Sequence, residues 1–359
     1  MTRLKLAARY HCRMSFFAIL FALLLEQVRP LARGNLIHGS LRIWVRWISN
    51  NFDTGKPYHA WLAWALATLG PSLVTLTVHL LLLTWAGLFF AMLWSVAVLY
   101  AALGFRQFSH HFTDIRDSLH AADEVRARQQ LAQWQQVDAA DLPRSEIVRH
   151  VIEYSVLAAH RHVFGVLGWF SILAALGLGP TGAVLFRLAE FASRYWSARP
   201  LATQPVAQQA VQHPSSAALQ LVAAKAWLVI DWLPARMTAL GFAVMGSFEE
   251  AIDAWRHYAQ RFPNDNDGVI LAATSGAVNV RLGGEALKAA ATSFSPGSSQ
   301  GFQASSGLEQ PAAPWAATPS TPGREPELAH LRSIVGLVWR SVVMWMVLLA
   351  LLTLARLIG

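Results

Sequence analysis

Cysteine is all but missing from this chain: Cys12 is the only one among 359 residues. A lone thiol excludes an internal disulfide and any zinc site built on several cysteines. Charge is thin too. Asp, Glu, Lys and Arg make up 14% of the sequence, whereas soluble domains carry roughly 25%. There is no glycine-rich phosphate loop, no paired-cysteine metal motif and no nucleophile elbow set between a strand and a helix, so the common soluble enzyme classes find no support. What fills the space is apolar. Hydrophobic residues make up 54%, the mean hydropathy is +0.36, and the fifteen tryptophans suit the boundary between lipid tails and headgroups. The chain reads as an all-α, polytopic integral membrane bundle whose first partner is the lipid bilayer. Its formal net charge of +8 does not point to nucleic acid, because the arginines flank apolar segments and act as topology signals.

The whole chain, 1–359, reads as one membrane domain. Arg3, Lys5, Arg9 and Arg13 precede the apolar stretch "MSFFAILFALLLEQ", a signal-peptide pattern without a small-residue cleavage site. A short uncleaved membrane helix over 14–28 is expected, with Met14 an alternative start. Residues 61–104 are too long for one crossing, which takes about 20 residues. They predict two transmembrane helices that turn near Gly87, the first kinked at Gly70-Pro71 and carrying His79 as a packed, neutral side chain.

Residues 105–160 turn polar, with Phe108, Phe112, Ile115 and Leu119 at helical spacing. They predict an extramembrane amphipathic hairpin, then a helix with Pro143 in its first turn and Asp141 as N-cap. Six arginines between 105 and 150, against Lys56 alone in the 51–60 connection, place that region in the cytoplasm. The apolar run 163–186 is broken by Gly177, Gly179 and Pro180. Residues 197–217 read as a loop, and 219–292 as a re-entrant or membrane-associated core. Residues 293–326, rich in Ser, Pro, Gly, Ala and Thr, read as a disordered linker. A C-terminal transmembrane helix over 333–358 closes the chain.

Three stretches set charge beside apolar sequence. In "RHVIE", Arg149 and Glu153 lie four apart on one helical face, the spacing of a surface ion pair. In "IDWLPAR", Asp231, Pro234 and Arg236 interrupt an apolar run. An ionised group at the bilayer centre costs on the order of 3 kcal/mol, so this stretch is held against other protein, with Pro234 stopping the helix and Asp231 set against Arg236 or Arg281. In "NDGVILAATSGAVNVRLGG", small residues from Ala272 to Ala277 allow close backbone approach, and Gly283-Gly284 ends the helix after Arg281. The histidines of "HRH" at 160–162 and the pair His110-His111 lie one or two apart, share no helical face and make no metal site.

These stretches, in this order, resemble the CobD/CbiB family of cobalamin biosynthesis, adenosylcobinamide-phosphate synthases of the inner membrane, and its regulatory relative AmpE, associated with β-lactamase induction. "DLPRSEIVRHVIE" is similar to the family stretch leading into Val-Ile-Glu-Ser-Val-Ala-Glu-Asn, so Arg149 and Glu153 fall on the family's arginine and first glutamate. "LPARMTAL" at 233–240 resembles Leu-Pro-Ala-Arg-Leu-Thr-Ala-Leu. The third stretch is similar to Asn-Ala-Gly-Trp-Pro-Met-Ala-Ala-Met-Ala-Gly-Ala-Leu-Gly-Val-Arg-Leu-Gly-Gly and carries over Asn266, Gly268, Gly276, Ala277, Arg281, Gly283 and Gly284. Arg149, Glu153, Asp231, Arg236, Asn266, Gly268 and Arg281 are the candidate family-site residues; none has an assigned catalytic role.

The departures fall on acidic positions. Leu157, Ala158 and Ala159, then Arg161 and His162, stand where the synthases have Glu-Asn-Thr followed by Asp-Gly. Glu190, Phe191, Ala192 and Ser193 replace Asn-Thr-Leu-Asp, and Trp227 and Leu228 replace two aspartates. "VIDWLPAR" is similar to Val-Leu-Asp-Trp-Val-Pro-Val-Arg of the AmpE branch, which also carries arginine at the position of Arg161. The resemblance therefore implies a multi-pass protein of the bacterial inner membrane that is AmpE-like and non-catalytic, a sensor or modulator in the envelope without a cofactor. The alternative it implies is an adenosylcobinamide-phosphate synthase attaching an aminopropanol unit to a corrinoid carboxylate. Magnesium and a nucleotide enter only then, and Glu153, Glu190 and Asp231 would converge on one cavity. A corrinoid or an envelope-derived ligand is the partner in view, with Arg149, Arg236 and Arg281 to meet it. A transporter component, with Asp231 and Arg236 lining a polar path, is the third reading.

Overall fold

A computed structural model describes residues 2–28, 36–135, 139–197, 215–262, 265–284 and 320–358. They form helices α1 (Thr2–Val28), α2 (Leu36–Phe52), α3 (Pro57–Leu81), α4 (Leu88–Ala102), α5 (Phe105–His120), α6 (Glu124–Gln135), α7 (Arg144–Ala159), α8 (Gly165–Ala175) and α9 (Thr181–Ser197). Then come α10 (Ala217–Met245), α11 (Phe248–Tyr258), α12 (Asp265–Val278) and α13 (Leu328–Ile358). Among the described residues there is no strand, only one isolated parallel bridge between Val280 and Arg324. Four stretches are long and apolar enough to cross a membrane: Pro57–Ala86, Arg144–Ala175, Ala217–Met245 and Leu328–Ala355. Ser15–Val28 and Leu88–Ala102 are shorter apolar helices. Leu73, Val74, Phe89, Val229 and Leu351 stay exposed, which suits helices whose outer solvent is hydrocarbon. The protein is an all-α membrane bundle.

Local chemistry explains the turns. A π-turn over Leu82–Ala86 closes α3, and Gly87 (φ 88°) supplies the left-handed backbone that starts α4. Pro71 is accommodated inside an unbroken α3. After α8, Leu178 donates its N–H to the Leu173 carbonyl at 2.9 Å, and Gly177 and Gly179 take positive φ. The break at 176–180 is thus where the glycines put it. His79 is buried and its ring fills the space beside Gly179, where a Cβ would come within 2.5 Å of it.

Several expectations are corrected. Asp141 does not cap α7: Pro143 is the boundary residue, extended at ψ 159°, and no side chain caps the helix. A second π-turn, His160–Phe164, joins α7 to α8, so Arg144–Ala175 is continuous and the polar 105–160 region runs straight into an apolar span. Pro234 does not stop α10, which continues through it to Met245. Helix α12 ends at Val278, ahead of Gly283-Gly284, because Asn279 adopts φ 53° and tolerates the left-handed region. Of the loop expected over 197–217, residues 198–214 lie outside the described residues, as do 293–319 of the linker expected over 293–326.

The last part of that linker is ordered. Thr321 donates its N–H to Leu282, Arg281 donates to Arg324, and Arg324 to Asn279, at 2.8, 2.8 and 3.2 Å. The Thr321 hydroxyl lies 2.6 Å from Ser275 Oγ and accepts the Leu282 N–H at 2.9 Å. These bonds clasp the start of α13 to the end of α12. Helix α12 also packs on α10 and α11, and the small residues permit it. A Cβ on Gly276 would lie 2.1 Å from the Glu250 carbonyl oxygen, and one on Gly246 would lie 2.6 Å from Ala277.

Candidate functional site

Two buried polar clusters sit along the Arg144–Ala175 helix. The first surrounds Arg149, which is only 3% exposed. Its Nε and Nη2 donate to Glu146 at 2.9 and 2.5 Å, and its Nη1 donates to Glu153 at 3.0 Å. Glu153 also accepts the Gly283 N–H at 2.8 Å, and Gly284 packs against the guanidinium. The Arg149–Glu153 pair anticipated from its spacing is present. It is buried, however, and ties α7 to the chain leaving α12.

The second cluster is built by the π-turn. An extra residue in one helical turn splays consecutive side chains apart, a device common at functional sites. His160 turns to α10, where its Nε2 lies 2.7 Å from Asp231 Oδ1 and its Nδ1 lies 2.9 Å from Thr238 Oγ1. His160 and Asp231 are fully buried, and Asp231 Oδ2 has no hydrogen-bond partner. Arg161 turns instead to α12, with Nη2 donating to Asp267 at 2.7 and 2.9 Å. On α9, Glu190 is buried and paired with Arg187 and Arg194 at 3.1 and 2.5 Å.

The expected pairing of Asp231 with Arg236 or Arg281 is not what forms. Residues five apart on a helix of 3.6 residues per turn point about 140° apart, so Arg236 faces another neighbour. Its guanidinium lies 4.1 Å over the Trp232 ring and its Nη1 donates to Asn266 Oδ1 at 3.2 Å. Asn266 in turn donates to the Leu228 carbonyl at 2.9 Å. Gly268 meets the Ala259 carbonyl where a Cβ would lie at 2.3 Å. The Arg281 side chain is exposed. So Arg236 and Asn266 stand at the α10–α12 contact, Gly268 against the turn that follows α11, Asp231 beside His160, and Arg149 with Glu153 in the other cluster.

Pro234 survives in mid-helix for a specific reason. Lacking an N–H, it frees the Ile230 carbonyl, and Trp169 Nε1 donates to that oxygen at 2.9 Å. Trp169→Phe should therefore cost about 1–3 kcal/mol, the penalty for a stranded buried carbonyl. In a Pro234→Ala background the new N–H serves Ile230 and the same change should cost much less. Thermal unfolding of the four proteins in detergent measures the coupling, and equal losses in both backgrounds would refute it.

The three carboxylates required by the synthase reading do not converge. Glu153 belongs to the Arg149 cluster. Glu190, Asp231 and Asp267 lie on three other helices, and each has its own partner. Magnesium needs oxygen ligands free to bind it. Here Glu153 is held by Arg149, Glu190 by Arg187 and Arg194, Asp231 by His160 and Asp267 by Arg161. Among the described residues no three His, Cys, Asp or Glu side chains gather to hold a metal. This donor set does not fit magnesium.

His160, Thr238 and Asp267 are the members of the cluster that sequence reasoning passed over. An aspartate inside an apolar run demands a buried donor, and "HRH", ahead of the apolar 163–186 run, was the signal that one existed. Two openings lie nearby. Thr238 lines a hole of about 10 Å³ with Phe164, Gly241 and Ser341, room for about one water. A cleft of about 520 Å³ opens at the N-terminal ends of α7 and α13, lined by Arg144, Ser145, Glu325 and Glu327.

Comparison with known proteins gives a consistent picture. A family model described as CobD/Cbib protein matches residues 16–197 and 212–303. "Cobalamin biosynthesis protein CobD" of Chromobacterium violaceum is 30% identical over 191 residues, 53% of this chain. The chain spans only 55% of that protein's length. The protein of the same name from Stutzerimonas stutzeri is 25% identical over 291 residues, 81% of each. No solved structure matches the chain.

Proposed function

Because the chain belongs to the CobD/CbiB family, we propose that it works in cobalamin biosynthesis at the bacterial inner membrane, as an adenosylcobinamide-phosphate synthase that attaches an aminopropanol unit to a corrinoid carboxylate at a site other than the three-carboxylate cavity, which does not form. One observation carries the reading. The matched ranges contain every charged residue of the two buried clusters, from Glu146 and Arg149 to Asp267, and both relatives are named for cobalamin biosynthesis. The cleft beside Arg144, Glu325 and Glu327 is the place we assign to the polar edge of the substrates. Charges of both signs line it, which suits a ligand bearing an amine and an anionic group, and Arg149 lies next to its lining residue Val148.

Complementation tests the proposal. A bacterium lacking its own synthase, fed cobyric acid and dependent on cobalamin, should grow when it carries this chain and should stop growing with Glu153→Gln. Absence of growth, with the protein verified in the membrane, overturns the reading. A specific observation favours a second one, an AmpE-like modulator without catalysis: Glu153, Glu190, Asp231 and Asp267 each have a counter-group within the chain. It predicts no growth.

A further inference from the structure

We infer that α2 is a membrane-surface helix whose outer edge docks acidic phospholipid, with acyl chains against Ile43 and Trp47 and the headgroup phosphate against Arg42 and Arg46. The inference stands apart from the synthase reading, since no residue of either polar cluster enters it. At 17 residues α2 is shorter than the roughly 20 a crossing takes, and two arginines interrupt its apolar sequence. Residues four apart share a helix face, and α2 is organised in such rows. Val45 and Ile48 point inward, fully buried in a cluster with Ala60, Ala63 and Trp64 of α3 and Leu219 of α10. Ile43 and Trp47 stand 71% and 49% exposed. Arg42 and Arg46 form the next row, with Arg42 exposed. A helix with large apolar side chains on one edge and arginines on the adjoining one belongs at the boundary between headgroups and tails.

The exposed row is continuous with a surface that faces lipid. Trp47 stacks on Trp44 with ring centroids 5.7 Å apart. Trp44 Nε1 donates to the Ala67 carbonyl of α3 at 3.2 Å, and its indole is what a Cβ on Gly70 would meet at 3.9 Å. Leu69 and Leu73, beside that contact, are exposed on a helix long and apolar enough to cross a membrane. Tyr58 and Trp61, exposed at the start of the same helix, are residue types that gather at headgroup level. The charge is one-sided as well. No Asp or Glu occurs in α2, and Asp53, which follows it, is engaged elsewhere, accepting the N–H and the hydroxyl of Ser216 at 2.7 and 2.5 Å. Lys56 adds an exposed cation in the turn to α3. A basic, aromatic edge with no counter-charge on its own helix suits an anionic headgroup, and basic side chains at a membrane surface bind such lipids.

The test uses the full-length protein in nanodiscs of phosphatidylcholine and phosphatidylglycerol in equal parts. Two photoactivatable lipids with the same acyl chain, one bearing each headgroup, serve as probes, and mass spectrometry reads the label on the α2 peptide after illumination. The phosphatidylglycerol probe should label α2 several-fold more than the phosphatidylcholine probe, and high salt should shrink the excess. Arg42→Gln should lower that ratio by up to about fivefold, the worth of one basic side chain beside an anionic surface. Arg42→Lys keeps the charge and should preserve the ratio, whereas Ile43→Asp should lower labelling by both probes. Should the glutamine variant not fold, a salt titration of the wild type reads the same contribution. Equal labelling by the two probes, or a ratio that neither Arg42→Gln nor salt changes, overturns the inference. So does an α2 that takes neither probe, or one that crosslinks to a second copy of the chain in place of lipid.

Discussion

Asp231→Ala should destabilise the protein by about 1–3 kcal/mol, the cost of leaving a buried hydrogen-bonding group unsatisfied. The residue is wholly shielded and, among the described residues, provides the hydrogen-bond partner of His160 Nε2. Its loss strands that nitrogen and leaves a hole between α7 and α10. Asp231→Asn keeps the volume and an acceptor and should cost clearly less. The informative variant is the double change His160→Phe with Asp231→Leu, because replacing a buried pair by apolar groups is often neutral or stabilising. Recovery of stability in that protein, with activity lost, would mean that the pair serves function. Thermal unfolding in detergent reads all three, and an alanine variant as stable as the wild type would show that the pair is not buried.

Gly276→Ala should cost about 3 kcal/mol, at the upper end of overpacking penalties. The new methyl would lie 2.1 Å from the Glu250 carbonyl oxygen and 2.4 Å from its carbon. Both are backbone atoms inside α11 and cannot rotate aside, so α11 must lift away from α12 and loosen the Gly246–Ala277 contact with it. Gly336→Ala is the control: nothing lies within 4 Å of its added carbon and no loss of stability is expected. Equal melting temperatures for the two variants would sink the close-packing argument.

What was legible in the sequence was what depends on neighbours along the chain. Hydropathy announced an all-α membrane bundle, a lone glycine marked the turn at Gly87, and the cluster Gly177, Gly179 and Pro180 marked the break before α9. The i,i+4 spacing announced Arg149 with Glu153, and the small residues after Ala272 announced close packing. Partnerships across long separations were not legible. His160 meets Asp231 across 71 residues, and Arg161 meets Asp267 across 106. No local spacing encodes which helices will face each other. The π-turn that separates His160 from Arg161 has no residue signature, so the two looked like ordinary helix neighbours. Pro234 looked like a helix stop because the donor that rescues Ile230 is an indole 61 residues away.

The clasp between Thr321–Arg324 and Asn279–Leu282 means that α13 is fastened to the bundle by bonds of its own, beside the covalent path through 285–319. A polypeptide cut within that stretch should remain a two-fragment assembly. New termini introduced there should leave both polar clusters undisturbed.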